Sequence, residues 1–442
     1  MLLRGAIAGF LAVLTLSAAV VRADDWPQWM GPGRDNVWQE TGILDKFPAD
    51  GPKVLWRQSI AGGYAGPAVA GGRVFVHDYL TDGDTRRLSS PVSRANLKGK
   101  ERVLCFDAKT GEPLWKYEYD CPYHISYPAG PRCTPVVQEG KVWTLGAEGH
   151  LHCLEASTGK VLWVKNLKEA YNVETPMWGF CSHPLIDGKK LITLAGGDGS
   201  VAIALDKDTG QEIWRALSAR EPGYCPPVII EHGGKRQLII WHSEAICGLD
   251  PETGSVFWEE PLKPNYGMSI AAPRLHGDLL FAGGIGNVCA CLRLAKDRPA
   301  VQVVWRGDRE TGVYPANSTP HLEEGTIYAC DCQVGTLRAV NLEDGKRLWE
   351  TLEPTTGGRR GSHGTAFIVK NGPRFFLLSE TGHLIIARLT RDGYQEISRA
   401  KILEPTGTWS GRDVLWSAPA YANKCCFVRN DKELICVSLA AE

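Results

Sequence analysis

The sequence predicts an all-β chain: an eight-bladed β-propeller of four-stranded antiparallel blades, closed by pairing its N- and C-terminal strands. Three observations predict it. First, one hairpin is written repeatedly: FDAKTGEPLW at 106–115, LEASTGKVLW at 154–163, LDKDTGQEIW at 205–214, LDPETGSVFW at 249–258 and a worn copy, VNLEDGKRLW, at 340–349. Second, the terminal Trp recurs as Trp56, Trp115, Trp163, Trp214, Trp258, Trp305 and Trp349, at spacings of 44 to 59 residues. One four-stranded blade takes about 40–50 residues. Third, the chain ends on SAPAYANKCCFVRNDKELICVSLA with no outer Trp strand, whereas VLWRQSI at 54–60 is a Trp strand with no blade of its own.

Each element follows from residue chemistry. In the first copy an apolar run ends at Asp107, Thr110–Gly111 follows, and a second run ends at Trp115. Asp and Thr near a turn bond to nearby backbone, and Gly supplies the positive φ of a short hairpin. Each copy therefore reads strand, turn, strand, with an indole placed to stack on the next copy. On that reading Trp163→Ala costs about 3–5 kcal/mol. One further step of 48 residues from Trp349 lands on Ile397, in ARLTRDGYQEI, where the Trp is lost and the D-G turn survives. The Trp305 copy, LRLAKDRPAVQVVW, has lost its T-G. Cys105, Cys153 and Cys436 occupy a slot that elsewhere holds Ala204, Gly248, Ala339 or Ala387, so the slot wants a small buried side chain.

Composition narrows the partners. The 442 residues carry 49 basic and 50 acidic side chains, with no basic stripe, which argues against nucleic acid. Residues 1–23 have an early Arg, an apolar run from Ala6 to Val21 and a Val21–Arg22–Ala23 cleavage pattern, and read as a signal peptide. Residues 24–53 then form a Trp-rich segment and 54–442 the propeller. The expected mature chain is an exported, soluble monomer without a membrane span. The 14 Cys are compatible with export. Cys289/Cys291 and Cys330/Cys332 form C-x-C pairs without zinc-type C-x-x-C spacing, so no metal site is assigned. Cys425 and Cys426 lie in a predicted strand, where neighbours face opposite ways and stay separate thiols.

Ligands of a propeller meet the segments that lead into the innermost strands. Those segments place Tyr64, Arg132, Trp178, His183, Tyr224, Asn317, His363 and Trp416 near the axis. Aromatic faces with a few directional polar groups suit a small-molecule pocket. A His or aromatic there also serves packing. No haem-attachment, nucleophile-elbow, zinc-protease or phosphate-loop motif occurs, and no catalytic residue is assigned.

The hairpin resembles the A-x-D-x-x-T-G-x-x-x-W repeat of the pyrroloquinoline-quinone (PQQ) propeller superfamily, over roughly residues 54–442. DWPQWMGPGRDN at 25–36 is similar to the opening of exported PQQ-like propeller proteins. The superfamily includes quinoprotein alcohol dehydrogenases and BamB, a non-enzymatic propeller subunit of the outer-membrane β-barrel assembly machinery. The dehydrogenase branch would imply PQQ, calcium, a calcium-binding Glu and a catalytic Asp. Glu148, in GAEGHLHCLEASTG, matches the first letters of the calcium motif but lacks the Val-Arg that follows, and fits an ordinary turn better. Asp413 is a positional candidate alone. The vicinal disulfide of that branch would sit in a loop, unlike Cys425–Cys426. No Cys adjoins the cleavage site, unlike BamB-type lipoproteins. The resemblance therefore implies an exported, non-catalytic binding or scaffold module with an envelope protein or small molecule as partner. PQQ and calcium remain open as cofactors, a PQQ-dependent dehydrogenase as the first alternative and a sugar or small-molecule binder as the second.

Overall fold

The computed structural model describes residues 25–441, so the expected signal peptide lies outside the described residues. Eight four-stranded antiparallel sheets follow one another round a ring. Blades 1 to 7 span 68–120, 136–166, 185–216, 228–261, 274–306, 321–351 and 366–401. Blade 8 takes three strands from 420–438 and its outermost strand, Val54–Ser59, from the other end of the chain. There Trp56 faces Cys436 and Arg57 faces Ile435 in antiparallel register. The expected fold and its closure are thus both present. Helix is confined, among the described residues, to Leu167–Tyr171 and one 3-10 turn at Asn265–Gly267.

The core lies between blades, not inside a single layer. Ile192, Leu194 and Trp214 of blade 3 pack on Leu238, Ile240 and Leu249 of blade 4. Ile239, Trp241 and Ile246 of blade 4 pack on Leu280 and Leu292 of blade 5. Middle strands are covered on both faces, so they read as unbroken apolar runs such as Leu384–Ile385–Ile386–Ala387.

The repeated hairpin clips each blade to its neighbour. Asp107 Oδ1 accepts from the amides of Lys109 and Thr110, which folds the turn. The preceding blade's indole then docks on it: Trp56 Nε1 donates to Ala108 O at 3.1 Å. The same bond joins Trp115 to Ala156, Trp163 to Lys207, Trp214 to Pro251, Trp305 to Leu342 and Trp349 to Thr390. The turn Gly lies under the ring. A Cβ on Gly111 would sit 2.6 Å from Trp56, and one on Gly254 2.7 Å from Trp214. These glycines also have φ near +75°, so both backbone and seat exclude a larger residue.

The worn copies now have physical reasons. Blade 5 lacks the T-G turn, and Trp258 of blade 4 instead donates to Gln237 of its own blade at 2.7 Å. Blade 8 has no such hairpin, because its two outer strands come from opposite chain ends. Blade 7 therefore has no turn to grip, and Ile397 packs among apolar residues that include Ile43 and Phe47 of the N-terminal segment. The small slot is explained too: Cys105, Cys153, Ala204, Gly248, Cys291, Ala339 and Cys436 each pair directly across from the blade's Trp. Cys425 and Cys426 are free buried thiols on a strand.

Candidate functional site

The innermost strands leave an axial channel, and the two ends of it differ. One end is crossed by the Trp-rich segment. Trp26 pairs with Val69 of blade 1, and Pro27 O accepts from Val137 of blade 2 at 2.8 Å. Arg34 donates to Pro184 O of blade 3 at 2.9 Å and accepts at its own carbonyl from Arg274 of blade 5. Trp38 donates from its amide to Lys370 O of blade 7 at 2.8 Å. Burial lowers the Arg34 guanidinium to about 10; its charge is met by carbonyl dipoles. The Trp-rich segment is therefore a plug.

Above the plug lies a chamber of about 210 Å³ with Trp29, Met30 and Asn36 as its floor. Its wall includes Tyr64, Arg132, His183, Tyr224, Asn317 and Trp416. It widens into a vestibule of about 450 Å³ that adds Trp178 and His363. The eight residues expected near the axis thus meet in one continuous channel.

Their orientations are fixed by packing and hydrogen bonds. His183 lies flat on Trp29, with centroids 4.9 Å apart, and its Nδ1 accepts from Thr134 N at 3.0 Å. The imidazole is thus neutral with its proton on Nε2, and burial beside Arg34 holds it well below its usual range. Arg132 stacks over Tyr64 at 5.1 Å. Its guanidinium is already engaged by the carbonyls of Gly130, Ser126 (2.9 Å) and Tyr127 (2.7 Å). Asn317 Nδ2 donates to His363 O at 3.0 Å. Trp178 meets Tyr224 edge-on at 5.8 Å. Trp416 Nε1 donates to Glu380 at 3.2 Å, and Arg412 holds that buried carboxylate from the other side at 2.7 Å.

The sequence reading missed much of the rim. Trp409 sits on a hairpin, Gly407–Trp409 and Arg412–Val414, inserted between blades 7 and 8. It packs on His363 at 4.4 Å, on Tyr127 at 5.6 Å and on Trp416 at 5.6 Å. The TWSGRDVLW stretch, with a Trp on each side of an S-G turn, was the available signal. Tyr127, Tyr266 and Val92 complete the vestibule.

No Asp or Glu lines the chamber or the vestibule among the described residues. Glu148 sits in the turn between two strands of blade 2, as the turn reading expected. Burial opposes its ionisation, but His124 N–H, Lys168 and Thr175 together hold its carboxyl below the usual range. Those partners hold it in its turn, and it lines neither the chamber nor the vestibule, so it is not placed to bind a calcium ion at the channel. Asp413 is half-exposed, paired with Arg86, and absent from the channel wall; the positional candidacy fails because its hairpin turns Trp409 inward instead. A tricarboxylate such as PQQ needs several cationic partners and an oxygen-ligated cation. Among the described residues Arg132 is the one cation in either lining, so these residues do not fit the PQQ–calcium pair.

Acid should weaken the ring from within. Burial holds His321 down to about 3 and His363 to about 4. Below their ordinary value near 6.5, the unfolded chain takes up protons that the folded chain refuses. Stability therefore falls as pH drops from about 6.5 toward those folded values. The urea midpoint should be lower at pH 5 than at pH 7, and this slope should flatten in the His321→Gln/His363→Gln double variant.

A plugged ring with an aromatic mouth defines the class: a PQQ-like β-propeller with an axial cavity. A family profile described as "Outer membrane protein assembly factor BamB" matches residues 46–118 and 99–314. The chain belongs to that family. No curated protein sequence matches it. Among solved structures, BamB from Moraxella catarrhalis is 15% identical, covering 83% of this chain and 98% of its own, with a TM-score of 0.53. The quinohemoprotein alcohol dehydrogenase of Comamonas testosteroni is 14% identical, covering 96% and 82%, with a TM-score of 0.61. The quinohemoprotein alcohol dehydrogenase ADHIIG of Pseudomonas putida HK5 is 12% identical, covering 95% and 81%, at 0.59. At these identities the likeness is one of fold.

Proposed function

We propose that this chain is an exported, non-catalytic binding module of the cell envelope, which takes an apolar segment of a partner protein into the aromatic vestibule. The observation that carries the reading is where apolar surface is exposed. The two most exposed large apolar side chains among the described residues are Val92, at 83%, and Tyr266, at 74%. Both stand on the rim of this vestibule, beside Trp178, Trp409 and Trp416. Apolar groups held out in water around a concave aromatic surface mark a surface that a partner covers. The lack of a carboxylate in the wall supports a binding role over alcohol oxidation, which needs a base to take the hydroxyl proton. Membership in the BamB family supports an envelope protein as the partner. No helix among the described residues is long and apolar enough to cross a membrane.

A photo-crosslinking residue placed at Tyr266 in the producing cell tests this. One envelope protein should be captured, and the adduct should disappear in a Trp409→Ala/Trp416→Ala variant that still folds. Adducts that persist in that variant, or none in the parent, would refute the reading. So would a raised melting midpoint and alcohol turnover with PQQ and Ca²⁺. A second reading, a small uncharged ring such as a sugar, is favoured by the chamber of about 210 Å³ with Arg132, Asn317 and His183 in its wall. Midpoints measured with and without sugars separate the two.

A further inference from the structure

A second polar cluster lies away from the channel, between blades 1 and 2. Glu101, on the third strand of blade 1, is fully buried. Its carboxylate is oriented by three donors: Tyr119 Oη on Oε2, and Tyr123 Oη (2.5 Å) and Ala147 N (2.8 Å) on Oε1. Oε1 is thereby filled, while Oε2 keeps one lone pair. Cys121, just beyond the outer strand of blade 1, is buried, and His150 opens the third strand of blade 2. One ligand atom from each of Glu101, Cys121 and His150 lies within 4.8 Å of the other two. Cys121 Sγ is 3.7 Å from His150 Nδ1.

An independent oddity points into the same spot. His77 is fully buried, and neither ring nitrogen has a hydrogen-bond partner. Its Nε2 faces Glu101 Oε2 at 3.7 Å. A buried polar group without a partner is costly, and the 3.7 Å between Nε2 and Oε2, too long for a hydrogen bond, is close to the separation of two ligand atoms on one tetrahedral metal ion.

We propose that Glu101 Oε2, Cys121 Sγ, His150 Nδ1 and His77 Nε2 form a structural Zn²⁺ site that rivets blade 1 to blade 2. The donor set is carboxylate, thiolate and two imidazoles, all of which zinc accepts. Two anionic and two neutral ligands cancel the ion's charge, as a buried site requires. Tetrahedral zinc places its ligand atoms roughly 3.3–3.6 Å apart, so the site closes by drawing these side chains inward on the ion. The thiol proton leaves to solvent as the thiolate binds. His150 is only half-buried and provides the way in. Tyr119, Tyr123 and the Ala147 amide act on the carboxylate as outer-shell partners that hold its orientation.

The test uses the purified full chain, dialysed against zinc and then against metal-free buffer, with metal counted by mass spectrometry. One zinc per chain is expected, with a raised melting midpoint. The cobalt-loaded protein should show a thiolate charge-transfer band. Cys121→Ser and His77→Gln should each weaken zinc binding at least tenfold, while Cys289→Ser, which removes one thiol of a C-x-C pair, leaves it unchanged. Both variants must melt cooperatively without zinc, and each keeps a polar side chain of similar size for that reason. Substoichiometric zinc in the parent, or zinc retained with parental affinity in Cys121→Ser, would overturn the proposal.

Discussion

Trp214→Ala is expected to lower stability by about 3–5 kcal/mol, the range for deleting a large buried aromatic side chain. Trp214 is 7% exposed, packs between blades 3 and 4, and donates to Pro251 O at 3.2 Å. Its loss removes apolar contact on two blades and leaves a carbonyl without its donor. Trp163, half-buried and bonded to Lys207 O at 3.0 Å, should lose less, because part of its ring already faces water. Urea unfolding followed by fluorescence reads both. A Trp214→Ala midpoint within error of the parent would mean that the indoles decorate the ring without clipping it.

Gly254→Ala should cost roughly 2–5 kcal/mol, adding a left-handed backbone penalty of about 1–2 to an overpacking penalty of about 1–3. Its φ is +74°, and a Cβ there would lie 2.7 Å from the Trp214 ring. Gly188 is the control: φ is +59° and nothing lies within 4 Å of its Cβ position, so Gly188→Ala pays the backbone penalty alone. The pair of substitutions should also be non-additive. In a Trp214→Ala background the ring is gone, and Gly254→Ala should cost no more than Gly188→Ala. Additivity would show that turn and indole do not act as one device.

Blade number, period and closure were legible in the sequence because one chemical requirement recurs at each blade boundary. An indole needs a Gly to sit on, a carbonyl to donate to and a small residue across the strand, so D-x-x-T-G, Trp and the Cys/Ala/Gly slot appear together. Where the requirement lapses, at Trp258 and Ile397, the pattern lapses too. The eight axial residues were legible for a related reason: they precede the inner strands at fixed places in the repeat. Trp409 was hidden because it lies on an insertion outside the repeat. Trp29 was hidden because nothing local in a Trp-rich leader says that it will cross a channel. The Glu101, Cys121, His150 and His77 cluster was hidden because its members are scattered over four positions with no shared spacing, and only the packing of blade 1 on blade 2 unites them.

The shared eighth blade sets an order of events in time. Val54–Ser59 is among the first parts of the folded ring to be made, yet its partner strand, Glu433–Ser438, is among the last. Pairings between such distant residues form slowly, since the intervening chain must first be brought together. Until then the early strand offers unpaired backbone to any neighbour, and so does the late one. A nascent chain is thus sticky at its early strand through most of its production. Its safety depends on whatever escorts it until the final six residues of sheet arrive.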